Sequence, residues 1–441
     1  MAKKREDITN IVNQHLCHSC GSCFASCGHD SISYLNTVGG YLFPKIDYNT
    51  CTNCGLCYDV CPGDHFTDYL KKQTPDDPFV GTILESYTGV ATNETIYRNS
   101  QSGGVVTGLL KYLLESGEIS AAIVTNMNMQ NNSYSEAKFV TTVEELVSAQ
   151  KSKYIPTNIT SLLQNIDKID GTIAMVGLSC HMHGLENLLT VKKKLKNKII
   201  KIGLICDRVM TSSSVDFLSK KITNKSITNF VFRDTVNSPY PGDISLTEMN
   251  GNVKKLDKKS RMMMKDYFTP ARCLLCFDKM NVYADIVVGD PHGINDMDRI
   301  NGESLVIVRN LKAKEILEQS QRSRDITIKP TSTEIAIKGQ SIEAKRKKWN
   351  ANYTAWKEMG HDLPSYPDGV ELSSIIADRS EVDKAKKSLK HALSLDDYTD
   401  RDALLKNAND YYFNEKRKEY ALFPVTIWIR IIKKIIRIIK R

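Results

Sequence analysis

The feature that most constrains this chain of 441 residues is a pair of dense cysteine motifs near its amino end. Each motif has the spacing C-x2-C-x2-C-x3-C, and Pro62 follows the second one. Bacterial ferredoxins hold cubane 4Fe-4S clusters with this run: three thiolates bind one cluster and the fourth ligates the other. The spacing therefore predicts two clusters, one on Cys17, Cys20, Cys23 and Cys61, and the other on Cys51, Cys54, Cys57 and Cys27.

Two other uses of crowded cysteines fit this segment less well. Tetrahedral zinc sites use two well-separated cysteine pairs. Disulfide frameworks belong to small secreted domains, and the polar first residues of this chain have no apolar signal core behind them. One departure from the ferredoxin pattern is Gly28, which follows Cys27 where ferredoxins usually carry proline. The glycine loosens that turn but removes no ligand.

Charge and hydropathy narrow the function classes. The formal net charge is +9, but six basic residues lie in the last dozen positions, so the body of the chain has little of the basic excess that marks nucleic-acid binding. No stretch reaches the roughly 18 uninterrupted apolar residues of a membrane span. Because iron–sulfur clusters need reducing conditions, we expect a cytoplasmic protein, and the length predicts two or three domains.

The hydrophobic pattern divides the chain into five parts. Residues 1–75 are predicted to form an α+β ferredoxin-like domain that ends in a polar, proline-bearing linker. Strand and helix patterns alternate over residues 80–225, which predicts an α/β domain with a mostly parallel sheet. Residues 226–345 are predicted to be a mixed, more β-like domain. A helical extension at 346–424 and a basic amphipathic helix at 425–441 complete the chain.

Three further motifs follow the ferredoxin segment in one order: Arg98–Thr107, Gly177–Leu185 and Cys273–Asp290. Together they resemble the beta-subunit family of coenzyme F420-reducing hydrogenase and dehydrogenase, over roughly residues 15–345. The resemblance implies a flavoprotein, with FAD in the central α/β domain and a 4Fe-4S cluster beside it. Relatives in that family include reductases of chlorophyll intermediates and many proteins encoded with surface-polysaccharide genes.

Four cysteines remain outside the ferredoxin motifs, the number that one more cluster requires: Cys180, Cys206, Cys273 and Cys276. Cys180 and Cys206 follow predicted strands, and ligands of open α/β sheets collect at the carboxyl ends of strands. All four match the cluster-bearing motifs of the family, although Leu178 and Ser179 replace its usual threonine and proline. We therefore predict a third 4Fe-4S cluster. Alternatively, Cys206 is a core cysteine, and the C-x2-C pair is a redox dithiol or half a zinc site.

The resemblance also implies contacts to the flavin at a strand-to-helix junction. Backbone N–H groups and the positive end of a helix can hold a phosphate there, and glycines let the backbone approach it. A second matching segment contains a tyrosine, for which a place in the core is the alternative. The candidate flavin contacts are Arg98, Ser102, Gly103, Gly104, Lys153 and Tyr154.

Other polar residues lie beside the later cysteines. His181 and His183 are candidate proton donors during reduction, although such a histidine more often bonds a backbone carbonyl. Arg272, Asp278 and Asn281 flank the C-x2-C pair. They are either partners that tune the cluster or caps of the loop.

The last seventeen residues, 425–441, place apolar side chains at helical spacing with arginine and lysine on the opposite side. Sixteen helical residues span roughly 24 Å, which is short of the roughly 30 Å hydrocarbon core of a bilayer. We therefore predict a helix that lies on an anionic membrane surface, so that the protein is peripheral at its inner face. The alternative is a helix docked on the protein's own core or on a partner.

The combined prediction is an iron–sulfur flavoprotein oxidoreductase. Electrons would come from ferredoxin or a reduced deazaflavin, pass through the clusters to FAD, and reach an organic substrate, with surface-polysaccharide synthesis as one setting that the family suggests. A second hypothesis is a non-catalytic electron-transfer subunit that feeds a partner enzyme. A third, a scaffold of glycan synthesis with degenerate redox parts, is disfavoured by the intact cysteine sets.

Overall fold

A computed structural model describes residues 5–64, 77–294, 297–298, 300–366 and 377–419. Most of the predicted linker and the whole predicted tail helix at 425–441 lie outside these residues. Within the described part of the chain, no helix is both long enough and apolar enough to cross a membrane.

Thirteen strands form three sheets in the described residues. They are β1 (Ile32–Asn36), β2 (Leu42–Ile46), β3 (Glu85–Ala91), β4 (Ala121–Met127), β5 (Ser135–Val140), β6 (Ile173–Gly177), β7 (Ile199–Leu204), β8 (Ile227–Asp234), β9 (Asp243–Glu248), β10 (Val253–Leu256), β11 (Ile286–Gly289), β12 (Ser304–Val308) and β13 (Ile326–Pro330). The central sheet has eight strands in the order β13-β3-β12-β11-β7-β6-β4-β5. β1 and β2 form a hairpin, and β8 to β10 form a separate antiparallel sheet.

The central sheet is mixed, so the prediction of a mostly parallel sheet is wrong in its detail. Three pairs are parallel: β4 with β6, β6 with β7, and β7 with β11. The other four pairs in the sheet are antiparallel. The parallel strands are the ones that helices connect, whereas a short turn joins β4 to β5 and a loop joins β11 to β12. Antiparallel neighbours need no helical crossover, and such connections carry no helical pattern in the sequence.

Fourteen α-helices are bounded in the described residues: α1 (Ile8–Asn13), α2 (Ser22–Ser26), α3 (Leu56–Asp59), α4 (Glu94–Asn99), α5 (Val105–Glu115), α6 (Val143–Ser148), α7 (Ser179–Val191), α8 (Ser213–Ile222), α9 (Lys258–Tyr267), α10 (Ala271–Leu274), α11 (Leu311–Arg322), α12 (Thr333–Gly339), α13 (Ile342–Glu358) and α14 (Arg379–Ser394). Residues 401–419 are also helical. Two 3-10 helices span Ile159–Lys168 and Lys193–Leu195.

Helices cover both faces of the central sheet. β12 shows this arrangement most clearly, because its whole sequence, Ser-Leu-Val-Ile-Val, is buried. Its alternate residues point to opposite faces: Leu305 and Ile307 join the core beneath α7, whereas Val306 and Val308 join the core beneath α5 and α11. A third core joins the ferredoxin segment, the β8–β10 sheet and the helical extension. The carboxyl ends of the parallel strands are thereby left open at one edge.

Candidate iron–sulfur and cofactor site

The two ferredoxin-type motifs fold into loops of the same backbone shape. Ser19 and Asn53 occupy equivalent positions with φ of 58° and 55°, and α2 and α3 follow them. This left-handed turn aims each amide at a preceding sulfur: the N–H of Ser19 donates to Cys17 Sγ at 3.3 Å, and that of Asn53 to Cys51 Sγ at 3.4 Å. Hydrogen bonds of this kind are one of the means by which proteins tune iron–sulfur clusters.

The first predicted thiol set is buried and its sulfurs are neighbours. Burial raises the pKa of the Cys17 thiol to about 12. Burial also raises the pKa of Cys23, and the nearby Cys20 and Cys61 add to that effect. Thiols in such surroundings are poor places for free negative charge, but a metal cluster displaces the protons and supplies the compensating charge. The four residues therefore fit a 4Fe-4S cluster.

The second predicted set lies nearer to the surface. Cys54 is exposed, and Cys27, Cys51 and Cys57 are half-buried. Burial raises the pKa of Cys57 to about 11, with Cys54 among the nearby groups that contribute. If the two sets each hold a cluster, this one is the more accessible to a redox partner.

The four later cysteines converge. Cys180 lies in the first turn of α7, directly after β6, and Cys206 follows the neighbouring strand β7. With Cys273 and Cys276 they line one cavity of about 30 Å³. Burial raises the pKa of Cys206, and the adjacent Cys273 and Cys276 raise it further. The set fits a cluster for the same reason as the first, whereas no group of three or more metal-ligating side chains in the described residues is arranged for a single metal ion.

The third thiol set lies beside the first. Of the charges that raise the pKa of Cys180 in addition to burial, the largest is that of Cys20. The close approach depends on Gly184 in α7, where a Cβ atom would lie 3.2 Å from Cys20 Sγ and 2.2 Å from Ser22 Oγ. Arg272 is a second link, because its Nε donates to Gly63 O at 3.0 Å, two residues beyond Cys61.

A cavity of about 330 Å³ opens at the carboxyl edge of the parallel strands. Its wall includes the residues before α5, the segment 149–155, and the ends of β6, β7 and β11. Cys206 and His181 line both this cavity and the smaller thiol cavity. The two spaces are therefore adjacent, and of the four later cysteines only Cys206 lines both.

The structure separates the predicted flavin contacts into three groups. Ser102, Gly104, Lys153 and Tyr154 line the large cavity. Gly103 supports it from behind: its N–H donates to the hydroxyl of Ser304 at 3.1 Å, and a Cβ there would lie 2.2 Å from a backbone oxygen. Arg98 does not belong to the lining, because its side chain is 75% exposed and forms an ion pair with Glu94 on the outer turn of α4.

The charge of the large cavity suits an anionic ligand. Two carboxylates line it, those of Asp207 and Asp290. Burial, with Lys151 close by, lowers the pKa of Lys153 to about 7. The basic side chains of the wall therefore outnumber its carboxylates. The basic lining residues are Lys151, Lys153, Arg208, Arg233, Lys265 and Lys279.

Sequence reasoning missed the polar cluster around Tyr154. Arg233, only 3% exposed, donates to Asp290 at 2.7 Å and to Tyr154 Oη at 3.4 Å. Burial by itself would raise the pKa of Tyr154, but Arg233 and Arg261 more than offset it, so that the pKa is lowered. Arg233 is the last residue but one of β8, far in sequence from every motif. Ser304, which holds Gly103 behind the cavity, is an ordinary serine at the start of β12. Only Asp290 lay within a motif.

The two histidines are both buried and hydrogen-bonded. The Leu178 N–H donates to His181 Nδ1 at 3.0 Å, so His181 Nε2 carries the proton and donates to Thr157 O at 3.0 Å. Burial lowers the pKa of His181 to about 4, which keeps the ring neutral. His183 lies 2.9 Å from a buried carboxylate of Asp278 and does not line the large cavity. His181 thus bonds a backbone carbonyl and also lines the large cavity, whereas His183 pairs with a carboxylate. A proton-donor role for either histidine stays a prediction.

The residues that flank the C-x2-C pair hold its loop in place. Asp278 Oδ1 accepts from the N–H of Val282 at 3.2 Å, and its other oxygen faces His183. Asn281 donates to Gly177 O at 2.9 Å and to Leu204 O at 3.2 Å. It therefore ties together the ends of β6 and β7, the two strands that precede Cys180 and Cys206.

Comparison with known proteins finds three matching families. Residues 86–164 match the coenzyme F420 hydrogenase/dehydrogenase beta subunit N-terminal family, and residues 170–334 match the corresponding C-terminal family. Residues 43–66 match a 4Fe-4S binding domain. The two beta-subunit families follow one another in the order that their names give, and together they span the central sheet.

Individual relatives are similar over most of the chain. A coenzyme F420-dependent sulfite reductase of Methanocaldococcus jannaschii is 25% identical over 78% of this chain, which spans only 54% of that relative. One of the subunits of the F(420)H(2) dehydrogenase of Methanosarcina mazei is 25% identical over 83% of this chain and 99% of its own. A chain of the F420-reducing [NiFe] hydrogenase complex from Methanosarcina barkeri, 19% identical, superposes with a TM-score of 0.50 over 66% of this chain and 98% of its own. This last likeness concerns the fold alone.

Proposed function

The chain belongs to the coenzyme F420 hydrogenase/dehydrogenase beta-subunit family, and we propose that it is an iron–sulfur flavoprotein oxidoreductase. The family is one of iron–sulfur-containing oxidoreductases and electron-transfer subunits related to coenzyme F420. In the proposal, ferredoxin or a reduced deazaflavin supplies electrons, three 4Fe-4S clusters carry them, and FAD in the large cavity passes them to an organic substrate.

The observation that carries the proposal is the position of Cys206. Cys206 lines both the thiol cavity and the large cavity, so a cluster bound by the four later cysteines would lie beside a ligand in the large cavity. A chain of redox groups needs such adjacency. The neighbouring Cys20 and Cys180 extend the same path back to the buried ferredoxin set.

The cavity residues fit a flavin dinucleotide. Gly104 is the N-cap of the 11-residue helix α5, and Val105, Val106 and Thr107 of its first turn also line the cavity. Their N–H groups and the positive end of the helix suit a phosphate, and Lys153 adds positive charge. When bound, a flavin exchanges a hydride or two single electrons. The protein's part would be to hold the flavin in the cavity that Cys206 helps to line and to exclude water.

The accessible second thiol set is the proposed point of electron uptake. Cys54 is exposed, whereas Cys17, Cys20, Cys23 and Cys61 are buried or nearly so. Electrons would therefore pass from the Cys54 cluster to the buried cluster, then to the Cys180 cluster, and from there to FAD. Because the resemblance implies relatives that are encoded with surface-polysaccharide genes, we propose surface-polysaccharide synthesis as a context for the unidentified substrate.

Replacing Cys206 tests the proposal directly. Cys206→Ser should lower the iron content of anaerobically purified protein from about twelve to about eight atoms per chain, because a 4Fe-4S cluster needs its fourth thiolate. Bound FAD should remain, but reduced ferredoxin should no longer reduce it. If iron and flavin reduction both match the unaltered protein, Cys206 is not the link and the path is wrong.

A non-catalytic electron-transfer subunit is the second candidate. It is favoured by the relative from Methanosarcina mazei, which is named a subunit and whose length this chain spans almost completely. Reoxidation of the reduced flavin separates the two. A small organic substrate that reoxidises it supports the enzyme, whereas reoxidation only by a partner protein supports the subunit.

A further inference from the structure

The helical extension makes a contact for which the family match gives no role. That match ends at residue 334, whereas α13 begins at Ile342 and the described chain continues to residue 366. Trp349 and Asn352, both in α13, face the loop between Cys273 and Cys276. They are only 4% and 5% exposed.

Three side chains of this extension bind the two residues inside the C-x2-C pair. The indole N–H of Trp349 donates to Leu275 O at 2.9 Å, and the amide of Asn352 donates to Leu274 O at 2.9 Å. The hydroxyl of Tyr366 donates to Leu275 O at 3.3 Å. Both carbonyls of the loop are thus turned outward and held, which turns the two thiols toward the cavity.

Aromatic rings from the same residues cover the loop. Trp349 and Tyr366 lie 5.6 Å apart between ring centroids, in an edge-to-face arrangement. Phe79 packs against Trp349 at 6.1 Å, and Phe277, which directly follows Cys276, packs against Tyr366 at 6.2 Å. Aromatic rings therefore cover one part of the loop's outer side, and another part borders a small polar cavity. Basic residues line that cavity together with Trp349: Arg208, Lys345 and Lys348.

The extension also reaches the ferredoxin segment. The N–H of Ser365 donates to Asp64 O at 2.9 Å and to the Asp64 carboxylate at 2.9 Å. Asp64 lies three residues after Cys61, and Ser365 directly precedes Tyr366. Ser365 therefore binds the segment that follows Cys61 of the first thiol set, and the adjacent Tyr366 binds the Cys273–Cys276 loop of the third set. The Arg272 bond to Gly63 is a second tie across the same gap.

We propose that Trp349, Asn352 and Tyr366 are positioning residues for the third cluster. They fix the Cys273–Cys276 loop at a set distance from the Cys61 segment. The rings of Trp349 and Tyr366 keep water away from the loop. The inference rests on the proposed third cluster and adds a role for the helical extension.

Two consequences follow from this arrangement. A loop that loses its outward hydrogen bonds releases a cluster more readily, because its thiols no longer stay in one geometry. Reduction adds negative charge to a thiolate-bound cluster, and water stabilises that charge. Removal of the cover should therefore make the midpoint potential of the third cluster less negative, since solvent exposure is one of the determinants of cluster potentials.

The test variant is Trp349→Phe combined with Tyr366→Phe, which removes both donors and, because phenyl is smaller than indole, also opens part of the cover at position 349. Anaerobically purified protein should still contain about twelve irons, but four of them should be lost to a chelator roughly tenfold faster, a factor equivalent to about 1.4 kcal/mol for the two lost hydrogen bonds to one carbonyl. An EPR-monitored titration should show a less negative potential for that cluster alone.

The matched control is Trp356→Phe in the same helix, because the Trp356 indole donates to Asp362 O at 2.6 Å rather than to the C-x2-C loop. Iron loss and potential in the control should equal those of the unaltered protein. The proposal is overturned if the double variant behaves like this control.

Amide hydrogen exchange over residues 271–279 distinguishes failure of the positioning role from failure of the third cluster. About eight irons in the unaltered protein would end the third cluster and the proposed function with it. Faster exchange of this segment in the double variant would then still support the fixed loop, and unchanged exchange would overturn the fixed loop as well.

Discussion

Lys153 is the cavity residue whose charge is most sensitive to its surroundings. Its ammonium group donates to the carbonyls of Ala149 and Gln150, and burial near Lys151 lowers its pKa to about 7. A lysine that is neutral above that pH and charged below it makes the affinity of the cavity for anions depend on pH. The sign follows from linkage: a bound diphosphate favours the charged form and so raises the pKa in the complex.

FAD affinity should therefore be greatest below pH 7 and should fall as the pH rises from about 7 to the higher pKa that Lys153 has in the complex. Lys153→Met should weaken FAD binding roughly tenfold at pH 6, as expected for the loss of a charge-assisted contact, and should remove most of the pH dependence. Fluorescence titration of the flavin-free protein between pH 6 and 9 measures both effects. Equal pH dependence in the two proteins would contradict the role of Lys153.

At Gly103, the addition of one carbon atom would change the position of the loop before α5. A Cβ there would lie 2.2 Å from Gly89 O and 2.6 Å from Ser304 N, so Gly103→Ala should displace the loop before α5 and abolish FAD binding. Ser304→Ala adds no atoms and removes the hydrogen bonds of the Ser304 hydroxyl with the Gly103 N–H and with the Ser102 hydroxyl, and should lower stability by about 1–2 kcal/mol. Flavin content and thermal unfolding compare them. An alanine variant at Gly103 with full flavin content would refute the fit of this loop.

For individual residues, the spacing within short motifs was the feature of the sequence that allowed prediction. The cysteine runs could be predicted because a few residues in one loop determine where their sulfurs lie, and Ser102 and Gly104 lay in a recognisable segment. Arg233 and Ser304 could not be predicted, because the fold brings them to the cavity from distant strands. The position of Arg98 could not be predicted either, since its outward turn depends on the pairing with Glu94.

Among the elements, α7 does most to join the first and third thiol sets. It carries Cys180 in its first turn and packs against the ferredoxin loop through Gly184. The alternation of strands and helices predicted the parallel core and these helices. It could not predict that β12, β13 and β3 pair antiparallel, because strand direction depends on connections that leave no periodic pattern.

Gly184→Ala should force α7 away from the ferredoxin loop, since the added carbon would lie 2.2 Å from Ser22 Oγ. Overpacking of this kind costs about 1–3 kcal/mol, and electron transfer between the first and third clusters should slow. The double variant Gly184→Ala with Ser22→Ala removes the clashing hydroxyl and should recover much of the stability. Chemical denaturation and rapid-mixing reduction by ferredoxin measure the two effects. No recovery in the double variant would contradict this account of the contact.

At the scale of the whole molecule, the ferredoxin segment, the central sheet and the helical extension meet around the later cysteines. The sequence order of the motifs predicted which regions take part. It did not predict that the helical extension binds the C-x2-C loop, because Trp349 and Asn352 belong to an amphipathic helix with no motif of its own. Tertiary contacts of this kind arise only when the core forms.

The predicted tail helix belongs to the same scale, although residues 425–441 lie outside the described part of the chain. Deleting them should release the protein from anionic liposomes, because each basic residue near such a surface contributes about 1 kcal/mol. Sedimentation with vesicles of anionic and of neutral lipid measures binding, and iron content checks that the deletion leaves the fold intact. Unchanged binding after deletion would count against a membrane role for the tail.

The most direct test of the central claim is the metal and flavin content of protein purified without air, together with its reduction by ferredoxin. The account predicts about twelve irons and one FAD per chain, with the flavin absorbance bleached through the clusters. Protein with about eight irons and no flavin, or with a flavin that reduced clusters cannot reach, would contradict it.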